Sequence, residues 1–295
     1  MKLTITAATG QLGRYITTEA IQTFGAEQVR LAVRTPQKAE NYAEQGAQVV
    51  YANYDDYESL VTAFADTDVL IYIPSITHPS IKRVPEVERV VQAAENAHVK
   101  HFIFASFFAD QENSPFHMAP FFGYATRRLA CSKLSYTVLK NAMYADPLVP
   151  YLPELQAMGK LIYPAPNGRM SFISRADSAK AIVKVAATPE FWGKSYVLTQ
   201  SQSYSMVEIA ELLSRVGGKS IVFEPVTVEE FAAKYDQPTG FGVVLASLYQ
   251  AAEVGLLSQV SDDFEFIMGY PAENLVSYLE RQWQRYSTLG GDLYA

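Results

Sequence analysis

Cysteine and positive charge are both scarce in this chain. Cys131 is the one cysteine among 295 residues, so no intrachain disulfide can form, as is typical of proteins from reducing compartments. We expect Cys131 to be a buried apolar side chain rather than a nucleophile. The 24 lysines and arginines are outnumbered by 31 aspartates and glutamates, which gives a net charge of −7. That balance argues against a nucleic-acid partner.

Long apolar runs are missing as well. Val69–Ile73 is among the longest, and it is far shorter than the roughly 20 residues that a membrane span requires. Thr4, Thr6 and Thr9 interrupt the apolar opening of the chain, which leaves no core for a signal peptide. We therefore expect a soluble, cytoplasmic protein with no membrane partner.

Two familiar kinds of catalytic centre are also missing from the pattern. The four histidines show no metal-ligand spacing with cysteine or carboxylate partners, so we predict no metal site; they are His78, His98, His101 and His117. No serine lies in the Gly-x-Ser-x-Gly turn of the α/β-hydrolases. The chemistry must therefore be sought in other patterns.

Short apolar runs alternate with helical patterns through the first half of the chain. The predicted helices include one with Leu12, Ile16 and Ala20 at four-residue spacing, one from about Pro36 and one around Tyr124–Lys133. The predicted strands are Lys2–Ala7, Gln28–Arg34, Ala47–Tyr54, Asp68–Ser75, Lys100–Ser106 and Tyr136–Asn141. Strands that are apolar on both faces and separated by helices are typical of a parallel sheet with helices on each side. Because the crossovers of such a sheet are right-handed, the sequence predicts an α/β fold with a Rossmann-type doubly wound parallel sheet.

The pattern changes after about residue 145. Proline and glycine cluster in Tyr163–Gly168, and two capping boxes, Ser205 with Glu208 and Thr227 with Glu230, predict helix starts. We predict a dinucleotide-binding domain over residues 1–150, to which a strand and helix from about 170–200 return. Residues 151–295 are predicted to form a smaller α/β cap that binds the substrate.

The turn after the first strand resembles a dinucleotide fingerprint whose first glycine is missing. Gly10 and Gly13 are present, but Ala7 and Ala8 stand where the earlier glycine is expected. The second glycine of such a turn lets backbone approach a pyrophosphate, and the third lets the helix pack against the strand. Alanine at the first position costs little if φ stays negative and roughly 1–2 kcal/mol if the backbone is left-handed. The sequence therefore predicts a working turn.

An arginine follows the second predicted strand, 21 residues after Gly13. NAD-specific sites place an acidic residue about there, whereas an arginine accommodates the 2′-phosphate of NADP. Arg34 therefore predicts that NADPH is preferred to NADH, and Lys38 adds a second positive charge. The alternative is that both are ordinary surface residues.

Several segments together resemble the NmrA-like branch of the atypical short-chain dehydrogenase/reductases, and within it the bacterial NADPH:quinone oxidoreductases. They are "TAATGQLGRY", "AVRTPQKAE", "ANYDD", "KNAMY", "SRADSAKAI" and "FIMGYPAENLVSYL". The resemblance implies an NADP-binding site built from the glycine turn, the arginine after the second strand and the carboxyl ends of later strands. Carried over, the predicted cofactor-binding residues are Thr6, Ala8, Thr9, Gly10, Gln11, Leu12, Gly13, Arg34, Lys38, Ile73, Pro74, Ser75, Ser106, Leu139, Lys140, Asn141 and Tyr144.

The proton donor of ordinary short-chain dehydrogenases has only a weak counterpart. Those enzymes use Tyr-x-x-x-Lys, and here Tyr124 is followed at the fourth position by Arg128. Asn141 and Tyr144, after the last predicted strand of the first half, are the better catalytic candidates. A quinone is already electrophilic, so its reduction depends mainly on alignment with the nicotinamide.

Phenylalanines follow the fifth predicted strand, at the edge where α/β sheets bind ligands. Phe107 and Phe108, with Tyr144, are the predicted substrate-binding residues, because flat apolar faces suit a flat ring. The alternative is that they pack the cap against the sheet.

Three functions remain open at this point. The first is an NADPH-dependent oxidoreductase that transfers hydride to a quinone or a similar electron-poor small molecule. The second is a catalytically silent regulator that senses NAD(P). The third, an epimerase or reductase of a nucleotide-linked sugar, is weakened by the poor Tyr-x-x-x-Lys match. A homodimer is allowed by the sequence but is not indicated by any pattern.

Overall fold

A computed structural model describes residues 1–289 of the chain. The strands are β1 (Leu3–Thr6), β2 (Val29–Val33), β3 (Gln48–Tyr51), β4 (Val69–Tyr72), β5 (His101–Phe107), β6 (Tyr136–Asn141), β7 (Met143–Tyr144), β8 (Lys160–Leu161), β9 (Arg169–Ile173), β10 (Ser195–Leu198), β11 (Ser203–Ser205) and β12 (Val222–Phe223). The helices are α1 (Gln11–Phe24), α2 (Glu40–Ala43), α3 (Tyr57–Phe64), α4 (Arg83–Asn96), α5 (Ala119–Ala130), α6 (Leu148–Met158), α7 (Arg175–Ala187), α8 (Met206–Gly217), α9 (Val228–Lys234), α10 (Phe241–Glu253), α11 (Asp263–Met268) and α12 (Leu275–Thr288). Short 3₁₀ turns cover Ala26–Gln28, Pro36–Ala39, Ser80–Lys82 and Pro189–Phe191.

Seven strands form one parallel sheet in the order β10-β6-β5-β4-β1-β2-β3. The order reverses between β1 and β4, which is the crevice where open α/β sheets bind their ligands. This confirms the predicted Rossmann-type fold. The carboxyl ends of β1, β2, β4, β5 and β6 therefore share one edge of the sheet, and the predicted site residues belong to those ends.

The core follows from the apolar strand pattern. Every residue of β1, β2 and β4 is buried, and the predicted stripe of α1, Leu12, Ile16 and Ala20, is buried against the sheet. A parallel sheet covered on both faces has no polar face, which is why its strands lack alternation. No helix in the described part of the chain is long and apolar enough to cross a membrane.

Three local expectations need correction. The helix predicted from Pro36 is a 3₁₀ turn followed by the four-residue α2, because Ala39 is the one buried residue of the two. Helix α5 begins at Ala119, five residues before Tyr124, since a proline is tolerated in the first turn. The prediction that Cys131 is buried was wrong: it follows the last residue of α5 and is exposed to solvent.

The later part of the chain contributes to the large sheet and also forms smaller ones. Strand β10 pairs with β6 at the sheet's edge, and α7 packs against α1. Strands β7, β9 and β11 form a second sheet, and β8 pairs with β12. Both predicted capping boxes are confirmed, at the starts of α8 and α9. The division into residues 1–150 and 151–295 stays a prediction, and its last six residues lie outside the described ones.

Candidate functional site

The glycine turn joins β1 to α1 at the switch point of the sheet. Gly10 is the N-cap residue of α1, and its N–H donates to the carbonyl of Ala7 at 2.9 Å. Within residues 1–289 no side chain caps this helix, so its first-turn N–H groups remain available to an anion. Gln11 is exposed there and Thr9 half-buried, whereas Ala8 and Leu12 are buried supports of the turn.

Close backbone contacts require glycine at position 13 and favour it at position 10. A Cβ atom on Gly13 would lie 2.3 Å from the carbonyl oxygen of Ala7 and 2.8 Å from the carbonyl carbon of Ala8. A Cβ on Gly10 would lie 3.1 Å from the same oxygen of Ala7. The helix therefore packs directly on the strand end, which leaves backbone alone to face a ligand. This shape fits a dinucleotide pyrophosphate.

Ala7 occupies the left-handed position that a glycine would fill without strain, since its φ is +48°. An alanine in this region costs roughly 1–2 kcal/mol relative to glycine. The turn thus keeps the conformation of a nucleotide-binding turn although its first glycine is absent. Alanine in place of the first glycine therefore lowers stability but leaves the backbone conformation of the turn unchanged.

Arg34 and Lys38 are the residues predicted to bind a 2′-phosphate. Arg34 follows β2 directly, and β2 is the neighbour of β1 in the sheet. Both side chains are exposed, and neither forms a hydrogen bond or an ion pair within residues 1–289. Their charges are therefore free to bind phosphate. Nearby Asp55 instead pairs with Arg89 at 3.1 Å.

The end of β4 is tied to the glycine turn by Thr6. Its buried hydroxyl accepts from the N–H of Ile73 at 3.0 Å and donates to the carbonyl of Ile71 at 3.4 Å. Ser75 donates to Glu86 Oε2 at 2.5 Å, which holds the loop after β4 against α4. Ile73, Pro74 and Ser75 are all half-buried. These residues fix the wall of the crevice.

A buried amide joins the carboxyl ends of β5 and β6. Asn141 is 1% exposed; its Nδ2 donates to the carbonyl of Ser106 at 3.2 Å, and its Oδ1 accepts from Ser178 Oγ at 2.5 Å. The hydroxyl of Ser106 is itself buried and has no partner among the described residues. A buried hydroxyl without a partner at a ligand-binding edge is consistent with a bound cofactor or water.

Tyr144 lies three residues beyond β6, at the end of β7. The guanidinium of Arg175 lies 5.0 Å from the centre of its ring. Burial raises the pKa of the phenol, while the charge of Arg175 opposes that rise. Arg175 also donates its backbone N–H to the buried carboxylate of Asp146 at 2.9 Å, and burial raises the pKa of that carboxyl.

The neighbours of Asn141 in β6 have structural partners. Leu139 is fully buried, and Lys140 Nζ lies 2.6 Å from Asp110 Oδ2 in the loop after β5. The ion pair holds that loop near the strand end. Lys140 is therefore engaged by a carboxylate, and it supports the predicted cofactor site rather than presenting a free charge.

The phenylalanines after β5 form one cluster around Phe107. Its ring lies 5.3–5.8 Å from those of Phe108, Phe116 and Phe122. Phe107 is half-buried, whereas Phe108 is 1% exposed. Phe107 can thus offer part of its ring to a ligand. The expectation for Phe108 needs correction, because a side chain so deep in the core can support Phe107 but cannot reach a substrate.

Tyr124 is engaged by a carboxylate of a neighbouring helix. Its hydroxyl donates to Glu88 of α4, and Arg128 Nε donates to the same carboxylate at 2.8 Å. The hydrogen bond to Glu88 raises the pKa of the phenol. Tyr124 and Arg128 therefore form a contact between α4 and α5 instead of an acid–base pair.

Sequence reasoning missed Ser178, Arg175 and Asp110 as partners of the predicted site. The segment "SRADSAKAI" was noticed through the family resemblance alone, without a role for its side chains. Within residues 1–289, no group of three or more histidine, cysteine, aspartate or glutamate side chains could hold a metal ion.

Comparison with known sequences gives matches along most of the chain. A sequence model of the NmrA-like family matches residues 1–254. The chain is 30% identical to quinone oxidoreductase 2 of Escherichia coli over 276 residues, which cover 92% of this chain and 96% of that protein.

Solved crystal structures are similar to the whole fold. An NADPH-dependent quinone oxidoreductase from Escherichia coli, complexed with NADPH, has a TM-score of 0.89 and 29% identity, covering 95% of this chain and 99% of that one. A nucleoside-diphosphate-sugar epimerase from Staphylococcus aureus has a TM-score of 0.92 and 45% identity, covering 95% and 100%.

Proposed function

This chain belongs to the NmrA-like family, and we propose that it uses NADPH to reduce a quinone or a similar electron-poor small molecule. It is an NAD(P)H-dependent oxidoreductase that binds NADP(H). That it prefers NADPH to NADH, and that its electron acceptor is a quinone or a similar molecule, are our proposals. The glycine turn would hold the pyrophosphate, and Arg34 with Lys38 would hold the 2′-phosphate.

The observation that carries the proposal is the hydrogen bond from the phenol of Tyr124 to Glu88 of α4. Because this carboxylate holds the proton of Tyr124 and raises its pKa, the tyrosine is poorly suited to be the acid of a carbonyl reductase. A ketone needs a proton at its oxygen as hydride arrives, and a positioned acid contributes about 10²–10⁴-fold to such a step. A quinone needs that help least, because its product anion is stabilised by the ring.

Positioning is then the main task of the chain's own residues. When bound, NADPH supplies the hydride, and the resulting hydroquinone anion takes one proton from water. Phe107 and Tyr144 offer partly accessible rings at the carboxyl ends of β5 and β6. Flat rings favour an offset or edge-to-face approach by a flat acceptor. The buried phenylalanine cluster keeps Phe107 in place, which supports catalysis by alignment.

The two other functions make different demands on the same site. A regulator needs cofactor binding alone and no access for an acceptor. An epimerase of a nucleotide-linked sugar needs an acid–base group at the sugar, and Tyr124 is bound elsewhere. The half-buried ring of Phe107 favours an acceptor that stacks, and therefore favours the reductase.

NADPH oxidation with and without 1,4-benzoquinone tests the proposal. We expect turnover with the quinone, and Phe107→Ala should raise the KM for quinone about tenfold while leaving NADPH affinity unchanged. Phe191→Ala is a matched control, because the ring of Phe191 packs with those of Tyr196 and Phe266, which are not among the predicted site residues. Tight NADPH binding without turnover of any quinone would indicate a regulator, and conversion of a nucleotide sugar instead would indicate an epimerase.

A further inference from the structure

The loop that follows β4, residues 73–77, carries part of the predicted cofactor site although it belongs to no strand or helix. Its first residue is tied to two other elements. The N–H of Ile73 donates to Thr6 Oγ1 at 3.0 Å, and the hydroxyl of Tyr54 donates to the carbonyl of Ile73 at 2.6 Å. The beginning of the loop is therefore fixed to the glycine turn and to the segment after β3.

Two side chains of helix α4 hold the rest of this loop. Glu86 Oε2 accepts from Ser75 Oγ at 2.5 Å, and Arg83 Nε donates to the carbonyl of Thr77 at 2.5 Å. Arg83 and Glu86 are three residues apart, so they lie on the same face of α4. The N–H of Thr77 also donates to Ser75 Oγ at 3.3 Å, which joins the two contacts within the loop.

Arg83 and Glu86 are charged groups in the interior of the protein. Arg83 is 8% exposed and Glu86 is 6% exposed. Burial lowers the pKa of Arg83 to about 10, so the guanidinium stays charged at neutral pH. Burying a charge is costly unless it is paired and hydrogen-bonded, yet within residues 1–289 neither side chain forms an ion pair. A direct pair would stabilise both charges better, and the observed arrangement therefore favours a role in holding the loop.

Arg83 also contacts the phenylalanines of the predicted acceptor site. Its guanidinium lies 5.4 Å from the centre of the Phe121 ring, in the first turn of α5. The ring centre of Phe121 lies 5.3 Å from that of Phe122, which lies 5.8 Å from that of Phe107. Arg83 thus connects the cofactor loop to the rings after β5, whereas the hydrogen bond of Glu86 is made to the loop itself.

We propose that Arg83 and Glu86 form a clamp: they are positioning residues that hold residues 73–77 against α4, so that NADP(H) meets a preformed loop. The proposal rests on the place that the proposed function gives to this loop in the cofactor site. If NADP(H) binds only the chains whose loop is in place, loss of the clamp lowers the apparent affinity by that fraction. Arg83 additionally supports the rings that would hold the acceptor.

NADPH titration needs no acceptor and is the first measurement. Glu86→Ala removes the acceptor of Ser75 Oγ and should raise the Kd for NADPH about tenfold, since hydrogen bonds to charged groups are among the stronger ones. Glu86→Gln should stay within about threefold of the wild type, because an amide oxygen can still accept from Ser75 Oγ.

Glu95→Ala is the matched control on the same helix. Glu95 Oε1 accepts from the N–H of Lys133 at 2.8 Å, and so it holds a loop that contains no predicted site residue. Both alanine variants should lower the free energy of unfolding, but only Glu86→Ala should weaken NADPH binding. Equal Kd values for Glu86→Ala and Glu95→Ala would overturn the clamp.

Hydrogen exchange of the wild type tests preformation of the loop without any variant. The amide of Thr77 should already be protected in the free protein, relative to an unstructured chain, and NADPH should add little. Exchange of this amide at the unstructured rate until NADPH is added would show that the cofactor orders the loop. That result would overturn the clamp even if the variants did not fold.

Quinone kinetics at saturating NADPH separate the two residues. Arg83→Met removes the bond to Thr77 and the charge beside Phe121, so it should raise the Kd for NADPH and the KM for 1,4-benzoquinone, each about tenfold. Glu86→Ala should raise the Kd and leave the KM unchanged, and an equal rise of the KM in both variants would overturn the separate role of Arg83. If the wild type reduces no quinone, the proposed function fails, while NADPH binding and hydrogen exchange still decide the clamp.

Discussion

Replacing Ala7 by glycine should stabilise the protein, because Ala7 is held at a φ of +48°. Relief of a left-handed alanine is worth roughly 1–2 kcal/mol. Glycine also gives the unfolded chain more freedom, which removes about 0.4–1 kcal/mol of that gain. We therefore expect a net gain of about 0.5–1 kcal/mol in the free energy of unfolding, or a rise of about 1–3 °C in Tm.

The neighbouring residue provides the control for this substitution. Ala8 is fully buried and has no positive φ. Ala8→Gly therefore loses a buried methyl group, adds freedom to the unfolded chain and relieves no strain, so it should be destabilising by about 1–2 kcal/mol. The two variants differ by one position and introduce the same residue.

Denaturant and thermal unfolding of both variants give the comparison, with NADPH titration beside them. Ala7→Gly should bind NADPH as well as the wild type or better, since the carbonyl of Ala7 keeps its bond to Gly10. A loss of stability in Ala7→Gly equal to that in Ala8→Gly would show that Ala7 is unstrained. The account of the turn given above would then be refuted.

Three further outcomes can be measured. Arg34→Asp should reverse the preference for NADPH over NADH in cofactor titrations, and equal affinity of the wild type for both would contradict the role of Arg34. Tyr124→Phe should reduce quinone turnover by less than about threefold, far below the 10²–10⁴-fold effect of a true acid. Burial lowers the pKa of His101 from 6.5 to about 4, so the unfolded chain gains a proton there before the folded one. Stability should fall as pH drops from about 6.5 towards 4, by up to about tenfold in the unfolding constant per pH unit. His101→Gln should lessen that slope and His117→Gln should not; identical slopes in all three proteins would contradict the assignment.

Apolar patterning was sufficient for the strands because each strand of the sheet's centre is buried on both faces. The predicted Tyr136–Asn141 coincides with β6, four other predicted strands contain β1 to β4, and Lys100–Ser106 ends one residue before β5 does. The apolar pattern wrongly predicted a full helix after Pro36, because Ala39 is the one buried residue of this polar segment. Local spacing cannot reveal how few side chains a segment will bury.

The site was less accessible from sequence, because its contacts are made between distant elements. Tyr124 has an arginine at the spacing of the usual lysine, yet Glu88 of another helix binds both side chains. Asn141 was placed at the correct edge by its strand, but its partner Ser178 comes from α7. The order of the strands in the sheet brings these residues together, and no short sequence motif indicates that order.

The position of β10 has a consequence for how this chain is made. The last strand of the large sheet is Ser195–Leu198, and the hydrogen bonds along β6 need it. While the ribosome is still adding residues 142–194, β6 is an open edge that can pair with a strand of another nascent chain. Helix α7 is also missing from the surface of α1 until that stage. Synthesis must therefore run about two thirds of the way through before the nucleotide-binding half can close, and a chain stopped at residue 150 should aggregate rather than fold.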